Sequence, residues 1–186
     1  MLEVYRAAAD LQRRFQDHGW RFCLIDGLAL QRWGEPRETI DVDVTLLTGF
    51  GGEISFVREV LTWYEPRVAD PVAFALHNRV LLVQASSGVG IDIALGGMPF
   101  EESAVDRSTA YEFAPGIPLI TASAEDLIVM KAFASRLKDW ADVEGILIRQ
   151  HGRLDWAYVE MQLGPLVELK EEPEILGRLA RMREQI

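Results

Sequence analysis

The run Gly34–Thr48, GEPRETIDVDVTLLT, limits what this chain can fold into more than any other stretch. Between residues 40 and 47 polar and apolar side chains alternate, the period of a half-buried β-strand. Asp41, Asp43 and Thr45 fall on one face. Ile40, Val42, Val44 and Leu46 fall on the other, which reads as core. Two carboxylates held two residues apart repel each other. Either water solvates both, or a cation lies between them.

A second stretch, VGIDIALGG, repeats the pattern: Ile91, Ile93 and Leu95 share one face and Asp92 takes the other. Should the two strands be neighbours, Asp41, Asp43 and Asp92 would converge as hard oxygen donors for one or two Mg²⁺ ions. Mg²⁺ in such a set stabilises the oxygens of an in-line phosphoryl displacement. The alternative is an ordinary solvated face, since an Asp-x-Asp alone is common on half-exposed strands.

Upstream, IDGLALQRWG reads as strand, glycine turn and short helix. A helix start after a glycine is a natural phosphate seat, or simply a strand-to-helix turn. Downstream, Ser123 followed by Asp126 is a helix-capping pattern. On one continuous helix Lys131, Ser135, Lys138 and Asp142 share a face. Lys131, among apolar neighbours, is placed either to offer its ammonium to a triphosphate or to reach out to solvent.

These pieces sit in a chain of 186 residues, enough for one domain with a helical extension. The N-terminal pattern predicts a helix over residues 2–18, with Val4, Ala8, Leu11 and Phe15 inward. Short strands are expected at 21–25, 40–47, 79–85 and 90–95 and in STAYEF and IPLIT, with a helix at 53–63. Beyond Ser123 helices are expected at 124–137, 139–150, 155–163 and 173–184. The reading is therefore an α/β half, 1–122, and a helical half, 123–186.

Net charge is −10, which disfavours a protein dedicated to gripping long nucleic acid. A strip formed by Arg136, Lys138, Arg149 and Arg153 would be the local exception. The single cysteine, Cys23, reads as a buried thiol. No His/Cys spacing suits zinc, and TGFGGE lacks the Lys-Ser/Thr of a P-loop. The charged first helix has no signal-type apolar core and no run is long enough to span a membrane, so a cytoplasmic protein is expected.

Taken in order, DGLALQRWGEPRETIDVDV, GIDIAL and SAEDLIVMKAFASRLKDWADVEGI resemble the nucleotidyltransferase superfamily with the DNA polymerase β-like core. Within it they look most like the AbiEii-type toxin nucleotidyltransferases. The likeness covers roughly residues 20–150. It implies a mixed β-sheet flanked by helices, with a C-terminal helical subdomain closing a cleft. It also implies that Gly27 and the following helix hold an NTP, with Asp26 and Thr39 beside it. Asp41, Asp43 and Asp92 would bind Mg²⁺, Asp92 also positioning or activating an acceptor hydroxyl. Lys131 would contact the triphosphate, and Asp139 or Asp142 would complete the site. The acceptor would be an RNA, such as a tRNA end, or a protein, with an antitoxin as partner. Thr39 would be the candidate for self-modification. One departure stands out: the family has Gly-Gly or Gly-Ser where this chain has Asp26-Gly27. A carboxylate there either caps the helix or opposes triphosphate binding. The alternative function is a catalytically inactive module of the same fold that binds a partner.

Overall fold

The computed structural model describes residues 1–186. Its elements are α1 (Leu2–Asp17), β1 (Phe22–Leu24), α2 (Asp26–Trp33), β2 (Asp41–Leu47), α3 (Glu53–Val60), β3 (Glu65–Pro66), α4 (Pro71–Asn78), β4 (Val80–Gln84), β5 (Gly90–Gly96), α5 (Pro99–Arg107), β6 (Thr109–Ala114), β7 (Ile117–Thr121), α6 (Ala124–Ala134), α7 (Leu137–Arg149), α8 (Trp156–Lys170) and α9 (Glu174–Gln185). They form two compact units. One joins Met1–Leu28 to Glu38–Ala122; the other joins Ala29–Arg37 to Ser123–Ile186.

The first unit is built on one seven-stranded mixed sheet of order β3-β4-β5-β2-β1-β7-β6. The two carboxylate strands are direct neighbours: β2 and β5 run parallel, with Asp41 opposite Gly90 and Asp43 opposite Asp92. The expected alternation holds on both. Val42, Val44, Ile91 and Ile93 are fully buried and pack with Val4, Ala8, Leu11 and Phe15 of α1 and Val57 and Val60 of α3 in one core. Ile40 departs from that expectation, being 76% exposed. The ladder starts only at Asp41, so no pleat turns Ile40 inward.

The opposite face of the sheet is covered unevenly. Val105 of α5 packs with Cys23, Ala122, Ile25 and Leu47, and Cys23 is the buried thiol expected. Nearer the starts of β2 and β5 this face carries Asp41, Asp43 and Asp92, each half-buried.

The second unit is helical. α6 is apolar on nearly all sides, as a central helix must be; Leu127, Ile128, Val129 and Ala132 have no solvent exposure. The segment Ala29–Arg37 packs by close backbone approach. A Cβ at Gly34 would lie 2.6 Å from Leu30 Cδ1, and one at Gly145 would lie 3.0 Å from Glu35. Carbonyls in and just after the last turn of α2, which lack helical partners, accept from side chains at and just after the end of α7. Arg149 donates to Gln31 O and Gly34 O at 3.1 and 2.7 Å, and Gln150 donates to Trp33 O at 2.8 Å.

Two helical expectations need correction. The chain breaks between α6 and α7, with Ser135 in the left-handed region (φ +59°), so Lys131 and Asp142 do not share one continuous helix. The Asp139 carboxylate accepts the Arg136 backbone N–H at 3.2 Å and so caps the restart. α8 runs past Gly164-Pro165 to Lys170 rather than stopping at 163. Val159, Leu163, Leu166 and Val167 keep a buried stripe going across the proline, and that burial outweighs the lost hydrogen bond.

Candidate active site

In the first unit, sheet register gathers one cluster. The backbone N–H of Ile25, just past β1, donates to Asp43 O at 2.9 Å, which brings the start of α2 beside the carboxylate strand. Gly27 is there for close approach. A Cβ at this position would lie 2.5 Å from Thr39 Oγ1 and 2.8 Å from Thr39 Cβ. Thr39 is 4% exposed and its hydroxyl is shared between Asp41 O and Asp41 Oδ1, both at 3.2 Å. A hydroxyl held this way orients Asp41; it is not presented to solvent as an acceptor for self-modification. Asp26 has φ +43°, a left-handed conformation that favours glycine.

Asp43 and Asp92 stand side by side on adjacent strands, and Asp41 lies two residues from Asp43 on the same face. Asp92 forms an ion pair with Arg67. Arg67 has no counterpart in the sequence motifs, and only the sheet explains its place. Its backbone N–H donates to Leu82 O at 3.0 Å. Leu82 is in turn opposite Asp92 in the β4–β5 ladder, so the arginine side chain reaches across β4. No three carboxylate, histidine or cysteine side chains are gathered into a metal-holding group. What the register does place together is three carboxylates on neighbouring positions of one face.

The second unit holds its own charge cluster. Lys131 is nearly buried, its ammonium 2.8 Å from Asp142 Oδ2 and 3.4 Å from Asp139 Oδ1. Asp139 is wholly buried and also takes Arg136 Nε at 2.5 Å and Nη2 at 3.0 Å. Burial pushes the Asp139 carboxyl up. The Arg136 hydrogen bonds and the Lys131 charge more than offset this and hold it below the usual carboxylate range. Arg37 Nε lies 3.3 Å from Asp142 Oδ1. The other Asp142 oxygen has the Lys131 charge close by but no hydrogen bond directed at it. Lys131 is thus a buried counter-ion and does not reach out to solvent.

Two residues of the expected basic strip are engaged elsewhere: Arg136 on Asp139 and Arg149 on the α2 carbonyls. Trp140 is buried, with Nε1 donating to Ser135 Oγ at 3.1 Å, and reads as core. No helix is long and apolar enough to cross a membrane.

No family model and no curated protein sequence matches the chain. Solved structures do. The chain is similar to an antigenic nucleotidyltransferase-like protein from Paracoccidioides brasiliensis, at 14% identity over 96% of this chain and 92% of that one, with a TM-score of 0.54. It is also similar to ANT(2'')-Ia, described as an antibiotic-resistance factor. The solution structure of that protein gives 17% identity over 95% of each chain and a TM-score of 0.51. Its complex with adenylyl-2''-tobramycin gives 15% identity over 91% of this chain and 96% of that one, at 0.50. The protein has a nucleotidyltransferase-like fold, as the mixed sheet and flanking helices anticipate.

Proposed function

We propose that the protein is a Mg²⁺-dependent nucleotidyltransferase that moves a nucleotidyl group from an NTP to an acceptor hydroxyl. One observation carries this reading: Asp41, Asp43 and Asp92 share one face of two adjacent parallel strands, beside the start of α2, in a nucleotidyltransferase-like fold. When bound, the cation supplies charge neutralisation for the phosphate oxygens. Asp41 and Asp43 hold it, with Thr39 orienting Asp41. Gly27 lets the α2 amides approach the phosphates. Asp92 orients the acceptor hydroxyl and takes its proton. The hydroxyl oxygen bonds to the α-phosphorus, the bond to the bridging oxygen breaks, and pyrophosphate leaves. Lys131, expected at the triphosphate from the resemblance, is instead the buried partner of Asp139 and Asp142 and takes no part in this scheme.

The acceptor is an RNA end, as in the AbiEii-type branch, or a protein, with an antitoxin as a further partner. The net charge of −10 weighs against a long polyanion and towards a protein or a cationic hydroxyl compound. A second reading has its own support. The Asp26 carboxylate stands at the phosphate seat, and Lys131 is neutralised by two buried carboxylates. Those features suit an inactive module that binds a partner.

Pyrophosphate release separates the two. The protein is incubated with each NTP and Mg²⁺ alone, with total tRNA, and with an aminoglycoside. Release that depends on one acceptor and is lost in Asp43→Asn supports transfer. No release in any mixture, with a stoichiometric partner retained on purification, supports the inactive module.

A further inference from the structure

We infer that the groove between α8 and α9 is a binding site for a small apolar molecule that carries an ammonium group. The site lies wholly in the helical unit and does not depend on the transfer reading. The groove is a cavity of about 580 Å³, the size of a small-molecule site. Leu163 and Leu179, 0% and 4% exposed, form its base, and Leu176 and Ala180 carry the apolar surface out to solvent. The sequence explains the gap. Leu176, Ala180 and Arg183 recur at helical spacing on one face of α9, and Trp156, Glu160 and Leu163 do so on α8. Packed helices fill the space between them with large apolar side chains. Here an alanine and charged side chains take several of those positions, and the space stays open.

The charges at the rim select the ligand. Arg183 is already engaged: its guanidinium carbon is 4.5 Å from the Trp156 ring centroid and its Nη1 is 3.2 Å from Glu160 Oε1. Glu184 also lines the cavity, and no ion pair takes up its carboxylate. Two carboxylates therefore face one guanidinium, and the rim is net negative. An ammonium pairs with Glu184 while its apolar body covers Leu163, Leu176 and Leu179. A carboxylate would meet Glu184 and would have to displace Glu160 from Arg183.

The test is calorimetric titration at neutral pH with three probes of one shape: octylamine, octanol and octanoate. It compares the wild-type chain, Glu184→Gln and Ala180→Trp. Octylamine should bind about two- to fivefold more tightly than octanol, the scale of an exposed ion pair, and octanoate most weakly. Glu184 is exposed, so Glu184→Gln reads the charge without disturbing the fold; it should keep octanol binding and lose the preference for the amine. Ala180 is exposed too, and Ala180→Trp should fill the groove and weaken all three probes. Octanoate binding most tightly, or a preference for the amine that survives Glu184→Gln, would refute the ammonium assignment. No binding by any probe, or binding that Ala180→Trp leaves unchanged, would refute the groove as the site.

Discussion

Asp43 and Asp92 are direct partners across the parallel β2–β5 ladder, on the face of the sheet turned away from the main core. Neighbouring strands lie about 4.8 Å apart, so the ladder holds two like charges at close range. Arg67 offsets part of this repulsion through its ion pair with Asp92, and the proposed cation would offset more. Asp43→Asn keeps the shape and removes one charge. Several kcal/mol of transition-state stabilisation should be lost, so transfer should fall by about 10²-fold or more. Single-turnover rates at saturating Mg²⁺ measure this, with far-UV circular dichroism unchanged.

Two adjacent positions should respond with opposite signs. Asp26 holds φ +43°, which glycine adopts without penalty, so Asp26→Gly should stabilise the fold by up to about 1 kcal/mol. Gly27→Ala drives a Cβ to 2.5 Å from Thr39 Oγ1 and should destabilise by about 1–3 kcal/mol. Urea midpoints of the two variants read both effects.

Lys131 is the positive centre of a buried cluster with Asp139 and Asp142. Lys131→Met leaves those carboxylates buried with less compensation, and should cost about 3 kcal/mol. A solvated, snorkelling lysine would cost almost nothing. Chemical denaturation of the variant distinguishes the two.

Acid should act through Asp139. Its folded carboxyl titrates below the ordinary value of 3.8, so it contributes stability at every pH above that value. That contribution is lost as pH falls from about 4 towards the lower folded value. Arg136→Gln removes one cause of the depression. It should therefore shrink the drop in urea midpoint between pH 6 and pH 3, relative to wild type.

Much of this was legible from residues close in sequence. Alternation over 41–47 and 90–95 predicts which side chains of β2 and β5 are buried. The Ser123–Asp126 spacing predicts a cap that forms: the hydroxyl accepts Asp126 N–H at 3.2 Å and the carboxylate accepts Ser123 N–H at 3.3 Å. What was not legible depends on distant pairing. Arg67 follows an unremarkable Glu-Pro, and only the order β3-β4-β5 carries it to Asp92. The break at Ser135 has no glycine or proline to mark it, yet it brings Lys131 to Asp139. α4 has a local signal of its own: Asp70-Pro71 is a good helix start, with the carboxylate accepting Ala73 N–H at 3.1 Å.

The most direct test of the central claim is thermal unfolding of wild type and Asp43→Asn with each of the four NTPs, with and without Mg²⁺. A ligand at 100 times its Kd adds about 2.7 kcal/mol to the folded state. The account predicts a Mg²⁺-dependent rise in Tm with at least one NTP, absent in Asp43→Asn. No shift with any nucleotide, or an equal shift in the variant, would contradict it.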